Sequence, residues 1–426
     1  MKILVLYFKI GRKNGRTHIN EHLKSFRNYV EGNDYYYFNA CNGIPRYLTK
    51  PDFDGVIVHS SFLLVRYNKQ YFEDWEKTIL NLKEIKGYKV GISQDEYAES
   101  DKLCSILKEY GIRSVFTCVP ESDHDKVFPR NKITLERIET VLAGYIDERT
   151  AGRLKKKIKK YRQVDVGYRA VKHPYWFGRH TQLKYELGKI FKDSLRGSGL
   201  KTNISLSRKD VFHGNQWYRF LLKCRIVLGC EGGASLLDPA GKIRMSVEKY
   251  IIKNPDADFN EVEERCFPGL DNSLNLITIS PRHFESIITK TCQALVAGEF
   301  QGILKPDIHY IPIKKDFSNI QSVINKISDH ELCRGIAERA YEDIYNSGKY
   351  TYKVFAEKVL GLISEMKRKN QNLPDNKLTY LFLGIWCGIR NFFEPVVIIL
   401  IFPWRYLKIY KMDLFRQILL RRDRNL

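Results

Sequence analysis

No two of the nine cysteines in this chain stand in a C-x-x-C pair, and their number is odd. A zinc site and a disulfide framework both lack their usual signature, and a reducing cytoplasmic setting fits the pattern better. Also missing is an uninterrupted apolar run of about 20 residues, the length a membrane-spanning helix needs. The opening Met1-Lys2-Ile3-Leu4-Val5-Leu6-Tyr7-Phe8 is too short for a signal-peptide core and has no small-residue cleavage site. It reads as a first buried strand. The turn after it, Gly11-Arg12-Lys13-Asn14-Gly15-Arg16, is flexible and basic but lacks the G-x-G-x-x-G spacing of a dinucleotide loop.

Acidic residues are scarce in one region above all. Residues 151–225 hold 20 Lys/Arg against 4 Asp/Glu, and residues 401–426 hold 7 against 2. These two stretches carry nearly all of the net charge of +22. A local excess marks an anionic partner more usefully than overall basicity does. Within the first stretch, residues 153–162 (RLKKKIKKYR) suit a solvated helix face or a surface for anionic lipid or a phosphorylated acceptor.

Apolar or β-branched runs at 2–8, 35–38, 55–59, 89–92 and 114–118 alternate with helix-like stretches at 19–30, 72–86 and 101–110. This alternation predicts a parallel sheet covered by helices. A second unit of the same kind starts at 164–169 and continues through strands near 202–206 and 225–229. Residues 236–270 are polar and turn-rich and look like an insertion, before a strand at 274–279. Apolar residues at helical spacing from 320 to 363 predict two helices that close the second unit. The expected division is 1–145, 146–365, and a linker with a helical tail at 366–426. In that tail an interrupted apolar segment precedes a basic amphipathic stretch, 405–424, which suits an interfacial anchor on an anionic membrane.

The chemistry concentrates at Ser280-Pro281-Arg282-His283-Phe284-Glu285. Ser280 suits an N-cap and Pro281 the first helical position, where its missing N–H costs nothing. Arg282 then falls in the first turn, where the helix dipole disfavours a cation. An anion between the two positive charges resolves the conflict, and a helix start after a strand is a ready phosphate site. Glu285, one turn further in, suits ribose hydroxyls. Glu231-Gly232-Gly233-Ala234-Ser235 follows the preceding strand, with paired glycines that let backbone approach a ligand. Arg169 and Lys172 follow the 164–167 strand. All three stretches are expected at the carboxyl edge of one sheet, where open α/β sheets bind ligands.

Several of these residues carry a family resemblance: Gly167-Tyr168-Arg169 with Pro174-Tyr175-Trp176, the 229–235 turn, Ser280–Glu285, and His309-Tyr310-Ile311-Pro312 leading to Asp316-Phe317-Ser318-Asn319. The chain resembles bacterial group-1 type glycosyltransferases, especially members of lipopolysaccharide and capsule gene clusters. The resemblance spans roughly residues 1–365. It implies an α/β fold of two Rossmann-like domains facing a cleft (GT-B), here with a C-terminal apolar and basic helical extension. It implies a UDP-, GDP- or ADP-sugar donor, with no cofactor required, and a glycan or lipid-linked acceptor at the cytoplasmic face of the membrane. Glu285 would meet the ribose, and Arg169 and Arg282 the diphosphate. Lys172, Glu231, Gly232, Gly233, Ser235 and His283 complete the expected donor site. The family's second glutamate, eight residues after the first, is Gln293 here.

No metal is expected. Three D-x-D spellings, Asp52/Asp54, Asp123/Asp125 and Asp256/Asp258, precede a buried strand or fall in loops, and basic side chains are expected to carry the charge instead. Asp95 and Glu96, just after the 89–92 strand, are the candidate catalytic carboxylates. His18, His59, His173 and His213 are alternatives. Net charge and abundant aromatics also suit nucleic-acid binding. Because the charge gathers near the crevice and in the tail, nucleic acid is not an expected partner. A sugar-nucleotide epimerase on the same fold is the nearer rival.

Overall fold

The computed structural model describes residues 1–10, 17–212, 214–369, 380, 382–385 and 387–388. The Gly11–Arg16 turn, His213 and the basic stretch 405–424 lie outside the described residues, as does the side chain of His18.

The first unit is a parallel sheet of six strands: β1 (Lys2–Tyr7), β2 (Asp34–Asn39), β3 (Asp52–Val58), β4 (Lys86–Ile92), β5 (Ser114–Thr117) and β6 (Arg137–Thr140). Their order across the sheet is β2-β1-β3-β4-β5-β6, with every pairing parallel. Strands covered on both faces need continuous apolar sequence, and Ile3, Leu4, Val5 and Leu6 are all fully buried.

The second unit begins with β7 (Val164–Arg169), β8 (Thr202–Ser205) and β9 (Cys224–Gly229). A short antiparallel pair follows, β10 (Gly232–Ala234) with β11 (Leu276–Thr278), and then β12 (Cys292–Val296) and β13 (Ile311–Ile313). The five long-range strands run parallel in the order β13-β12-β9-β7-β8. Both sheets therefore share one topology. The second strand in sequence lies outside the first, and later strands extend on the other side. Each sheet has a switch point, between β1 and β3 in one and between β7 and β9 in the other. The chain is thus an α/β protein of two Rossmann-like units.

The two late helices do not both close the second unit, contrary to expectation. Ile320–Ser328 and His330–Ala340 do, placing Val323, Ile327, Cys333 and Ile336 in one apolar cluster with Val166, Ile226 and Ala294. The final helix, Tyr352–Lys369, crosses back to the first sheet. Its Tyr352, Phe355, Val359 and Ile363 pack with Ile3, Val5, Ile57 and Val90. Gly55 of β3 makes room for it, since a Cβ there would lie 2.5 Å from Ile363 Cγ2. Helical periodicity identifies an apolar face but not the sheet that receives it. Residues 352–365, expected in the second domain, therefore pack as part of the first unit.

The turn-rich segment contains two helices, Lys242–Lys253 and Phe259–Cys266, that join the units. Val247, Phe259, Val262 and Phe267 share an apolar cluster with Leu103, Val119 and Phe128 of the first unit. Backbone bonds reinforce the seam: Asp238 N–H donates to Tyr97 O at 2.7 Å, and Glu99 N–H donates to Asp238 O at 2.9 Å. The D-x-D aspartates have local structural duties. Asp54 accepts from Lys2 N and pairs with Lys367, Asp123 accepts from Asn275 N at 2.6 Å, and Asp258 caps its helix through Glu261 N. No described helix is long and apolar enough to cross a membrane.

Candidate functional site

A cavity of about 220 Å³ opens at the switch point of the second sheet. Its walls come from the carboxyl ends of β7 (Tyr168, Arg169) and β9 (Gly229, with Cys230 beyond it), from the start of helix Pro281–Ile288, and from Phe212 and Trp217. The helix start forms as the sequence dictates. Ser280 has extended dihedrals, its Oγ accepts from Arg282 N at 3.4 Å, and Pro281 holds the first helical position. Arg282 is exposed, so its charge is not buried against the dipole. Its Nη1 donates to the Arg169 carbonyl at 2.8 Å, and its guanidinium lies 4.9 Å from the Trp217 ring centre.

Lys184 also lines this cavity, in the first turn of helix Leu183–Ser194. The motif reading missed it, because no turn or glycine pattern sets it apart in the sequence. The surroundings show where its charge acts. The His283 imidazole is pushed down to about 4, first by burial, with Lys184 and Arg282 adding to the effect. Burial raises the Cys230 thiol to about 11, and Lys184 and Arg282 both oppose that rise. Both cations line the cavity and act on the same two buried groups. A helix N-terminus, Lys184 and Arg282 together suit a diphosphate.

Arg169 reaches the cavity with most of its donors already engaged. Its Nη1 donates to the Tyr168 and Asn203 carbonyls at 2.7 Å each, and its Nη2 donates to Asn203 Oδ1 at 2.7 Å. The guanidinium lies against both Phe212 and Phe220, 4.8 and 4.6 Å from their ring centres, which are 5.2 Å from each other. It braces the wall more than it reaches from it. His283 lines the cavity as well, with its ring nitrogens 2.9 Å from Gln293 Oε1 and 3.2 Å from Cys230 O. Gln293, where the resemblance implies a second glutamate, therefore clamps His283 between β9 and β12.

Other expected donor contacts lie off the cavity. Lys172 is exposed, with its ammonium 4.9 Å from the Tyr175 ring centre. Glu231 is buried and accepts from Phe300 N at 2.6 Å, and burial raises its carboxyl above the usual range. Gly232 and Gly233 serve strand pairing. Gly233 has φ 101°, and a Cβ there would drive into the Leu276 carbonyl of the partner strand. Ser235 Oγ donates to Asp271 Oδ1 at 2.8 Å, pinning a loop. Paired glycines admit a neighbouring strand as readily as a ligand, and here they admit the strand.

Glu285 is not among the residues that line the cavity. Trp217 Nε1 donates to its Oε2 at 2.7 Å, so the carboxylate fixes the indole that lies beneath Arg282. Beyond it lies Glu21 of the first unit. Its carboxyl is raised to about 8, chiefly by burial and then by Asp147, with Glu285 contributing less. Glu21 accepts from Thr150 Oγ1 at 3.0 Å, and Thr150 N donates to Asp147 Oδ1 at 2.6 Å.

The two candidate catalytic carboxylates part company. Glu96 is fully buried, with Oε1 accepting from Thr117 Oγ1 at 2.6 Å, and burial raises its carboxyl. It faces the interior of the first unit and is not presented to an acceptor. Asp95 is exposed at the carboxyl edge of β4, with φ 55°, and its carbonyl accepts from Arg66 Nη2 at 2.9 Å. Of the alternative histidines, His173 lines the cavity. His59 is fully buried, and burial pushes its imidazole down to about 3.

No family model matches the chain, and no curated protein matches it. Similar solved structures include HepE of Anabaena in complex with UDP-glucose, 11% identical, with 86% of this chain and 100% of that one covered at a TM-score of 0.43. An alpha-glucosyltransferase in complex with UDP and a 13-mer DNA containing a HMU base is 11% identical, with 85% and 99% covered at a TM-score of 0.49. AviGT4, a glycosyltransferase involved in avilamycin A biosynthesis, is 10% identical, with 87% and 98% covered at a TM-score of 0.42. Likeness at this distance does not transfer an activity.

Proposed function

We propose that this protein is a glycosyltransferase that binds a nucleotide sugar in the second-unit cavity and transfers its glycosyl group to an acceptor across the cleft. The observation that carries this reading is the cavity at the β7/β9 switch point, which Lys184, Arg282 and a capped helix start all line. As the glycosidic bond to the donor breaks, negative charge builds on the departing nucleoside diphosphate. Fixed cations and oriented N–H groups stabilise that charge without reorganising. Trp217 and Phe212 offer aromatic surface beside the cations. Arg169 keeps the β7 end rigid, and its carbonyl positions Arg282.

Acceptor activation falls to the first unit in this reading. Asp95 is the carboxylate at the exposed edge of β4, placed to take the proton of an acceptor hydroxyl. A lipid-linked or cell-envelope glycan is the acceptor class we favour, with the protein held at the cytoplasmic membrane face. The unbalanced basic stretches at 153–162 and 405–424 support that placement. A UDP, GDP or ADP moiety fits the reading equally.

Thermal-shift titration with UDP, GDP and ADP tests the donor site directly. One nucleotide should raise the melting temperature of the wild type, and Arg282→Ala should weaken its binding about tenfold, equivalent to about 1.4 kcal/mol. No stabilisation by any of the three would refute the donor assignment. Transfer also requires that free nucleoside diphosphate appear only when acceptor is added. Turnover of the donor to an isomeric nucleotide sugar without acceptor would indicate an epimerase.

A further inference from the structure

The helix Lys242–Lys253 presents two unlike sides. Its inner side is fixed to the rest of the molecule. Val247 is buried in the core shared with the first unit. Arg244 N donates to Asp238 Oδ2 at 2.8 Å, and the Arg244 guanidinium lies 5.2 Å from the Trp176 ring centre and bonds to the Tyr67 carbonyl. At its start Gly241, with φ 71°, lets the chain pass against the Glu99 carboxylate, where a Cβ would collide. The helix is thus a rigid platform that spans both units.

At 3.6 residues per turn, positions 242, 245, 249, 252 and 253 fall together on the opposite side. They are Lys242, Met245, Lys249, Ile252 and Lys253, and all are exposed. Met245 is 58% exposed and Ile252 55%, the kind of large apolar side chains that folding normally removes from water. Among the described residues no ion pair involves any of the three lysines. The one carboxylate at the edge of this face, Glu248, pairs with Arg244 at 3.0 Å. Of the three glutamates of the next helix, Glu261 accepts from Tyr250 OH at 2.7 Å and Glu263 pairs with Arg179 at 2.8 Å.

We propose that this outward face docks on an anionic lipid bilayer. Two exposed apolar side chains flanked by uncompensated lysines match a surface that is apolar just below a layer of negative head groups. Met245 and Ile252 would enter the head-group boundary while the ammonium groups stay level with the phosphates. A purely polyanionic partner such as RNA would use the lysines but give the two apolar side chains no counterpart. The inference is independent of the donor assignment, because none of these residues lines the cavity.

The test is co-sedimentation of the full chain with phosphatidylcholine vesicles, with and without phosphatidylglycerol. The protein should pellet with the anionic vesicles alone. Met245→Glu with Ile252→Glu should weaken that binding at least about tenfold, and reversing all three lysines to Glu more than about a hundredfold, at about fivefold for each positive charge lost. Lys→Gln at the same three sites, a gentler change, should give an intermediate loss. Unchanged thermal melting and nucleotide binding in these variants would show that fold and donor site are intact. The proposal is overturned if the wild type ignores anionic vesicles, if neutral vesicles bind as well, or if the variants bind like wild type. It is also overturned if the wild type is a dimer in sedimentation that the apolar variant splits, because the face would then belong to a second copy.

Discussion

The two parallel sheets have the same strand order, yet their switch points have opposite characters. At the first, the described residues at the carboxyl ends of β1 and β3 pack closely around two imidazoles. His59 Nε2 lies 3.0 Å from His22 Nδ1, and its Nδ1 lies 2.9 Å from Ser61 Oγ, with the His22 ring against Tyr352 of the returning helix Tyr352–Lys369. At the second, a cavity remains, and Lys184 and Arg282 bring charge to its wall. Among the described residues of the first unit, Lys83, Lys102 and Lys132 are paired with Glu109, Glu76 and Asp101. Topology supplies a crevice twice, and side chains decide which one suits a phosphate.

The strongest way to break this comparison is to strip the second switch point of charge. Lys184→Ala combined with Arg282→Ala should raise the dissociation constant of the preferred nucleoside diphosphate about a hundredfold, tenfold for each lost contact. Calorimetric titration measures it, and His59→Ala, a change at the first switch point, should leave that constant within about twofold. If His59→Ala weakens binding as much as the double variant, the two crevices are not distinct in function.

A smaller effect tests what the paired glycines do. Gly233→Ala should destabilise the fold by about 2–3 kcal/mol in urea denaturation, because its φ is positive and its Cβ position is filled by the Leu276 carbonyl. Nucleotide affinity in the surviving folded protein should barely change. A large affinity loss with wild-type stability would return Gly233 to the donor site.

Glu285 acts at one remove, through Trp217. Glu285→Ala should cost about threefold to tenfold in nucleotide affinity, and Trp217→Phe, which keeps a ring under Arg282, less. Equal losses in both would show that the indole N–H, and not the ring, is what matters.

A further pair of effects concerns pH, with opposite signs for the acid and the imidazoles. Glu21, raised to about 8 from an ordinary 4.5, holds a proton in the folded state that the unfolded chain has released. Its contribution to stability is therefore full below about pH 4.5 and declines as pH rises toward 8. His59 and His283, lowered to about 3 and about 4 from 6.5, behave the other way, and stability is lost as pH falls below 6.5. Glu21→Gln should flatten only the decline on the alkaline side, as followed by denaturation midpoints from pH 5 to 8.

Much of the fold was legible in advance, for local reasons. Strands buried on both faces must be continuously apolar, so β1, β3 and β4 announce themselves. Ser280-Pro281 caps its helix as written, since capping involves neighbours two or three positions away. The site was legible only in part. Glu231, Gly232, Gly233 and Ser235 have the composition of a ligand loop, yet their partners are Phe300, Leu276 and Asp271. Lys184 carries no motif at all, and only its position beside β7 and β9 gives it a role.

What the sequence by itself determined is therefore local: which segments are strands, where a helix starts, and where charge is left unbalanced. Each of these depends on residues within a turn or two. The tertiary structure alone decided which segments became neighbours. Arg282 meets a carbonyl 113 positions away, Glu285 an indole 68 positions away, and the final helix the sheet that opened the chain. Contacts of that span depend on strand order and on the sheet that buries each apolar face, and no short stretch of sequence encodes either.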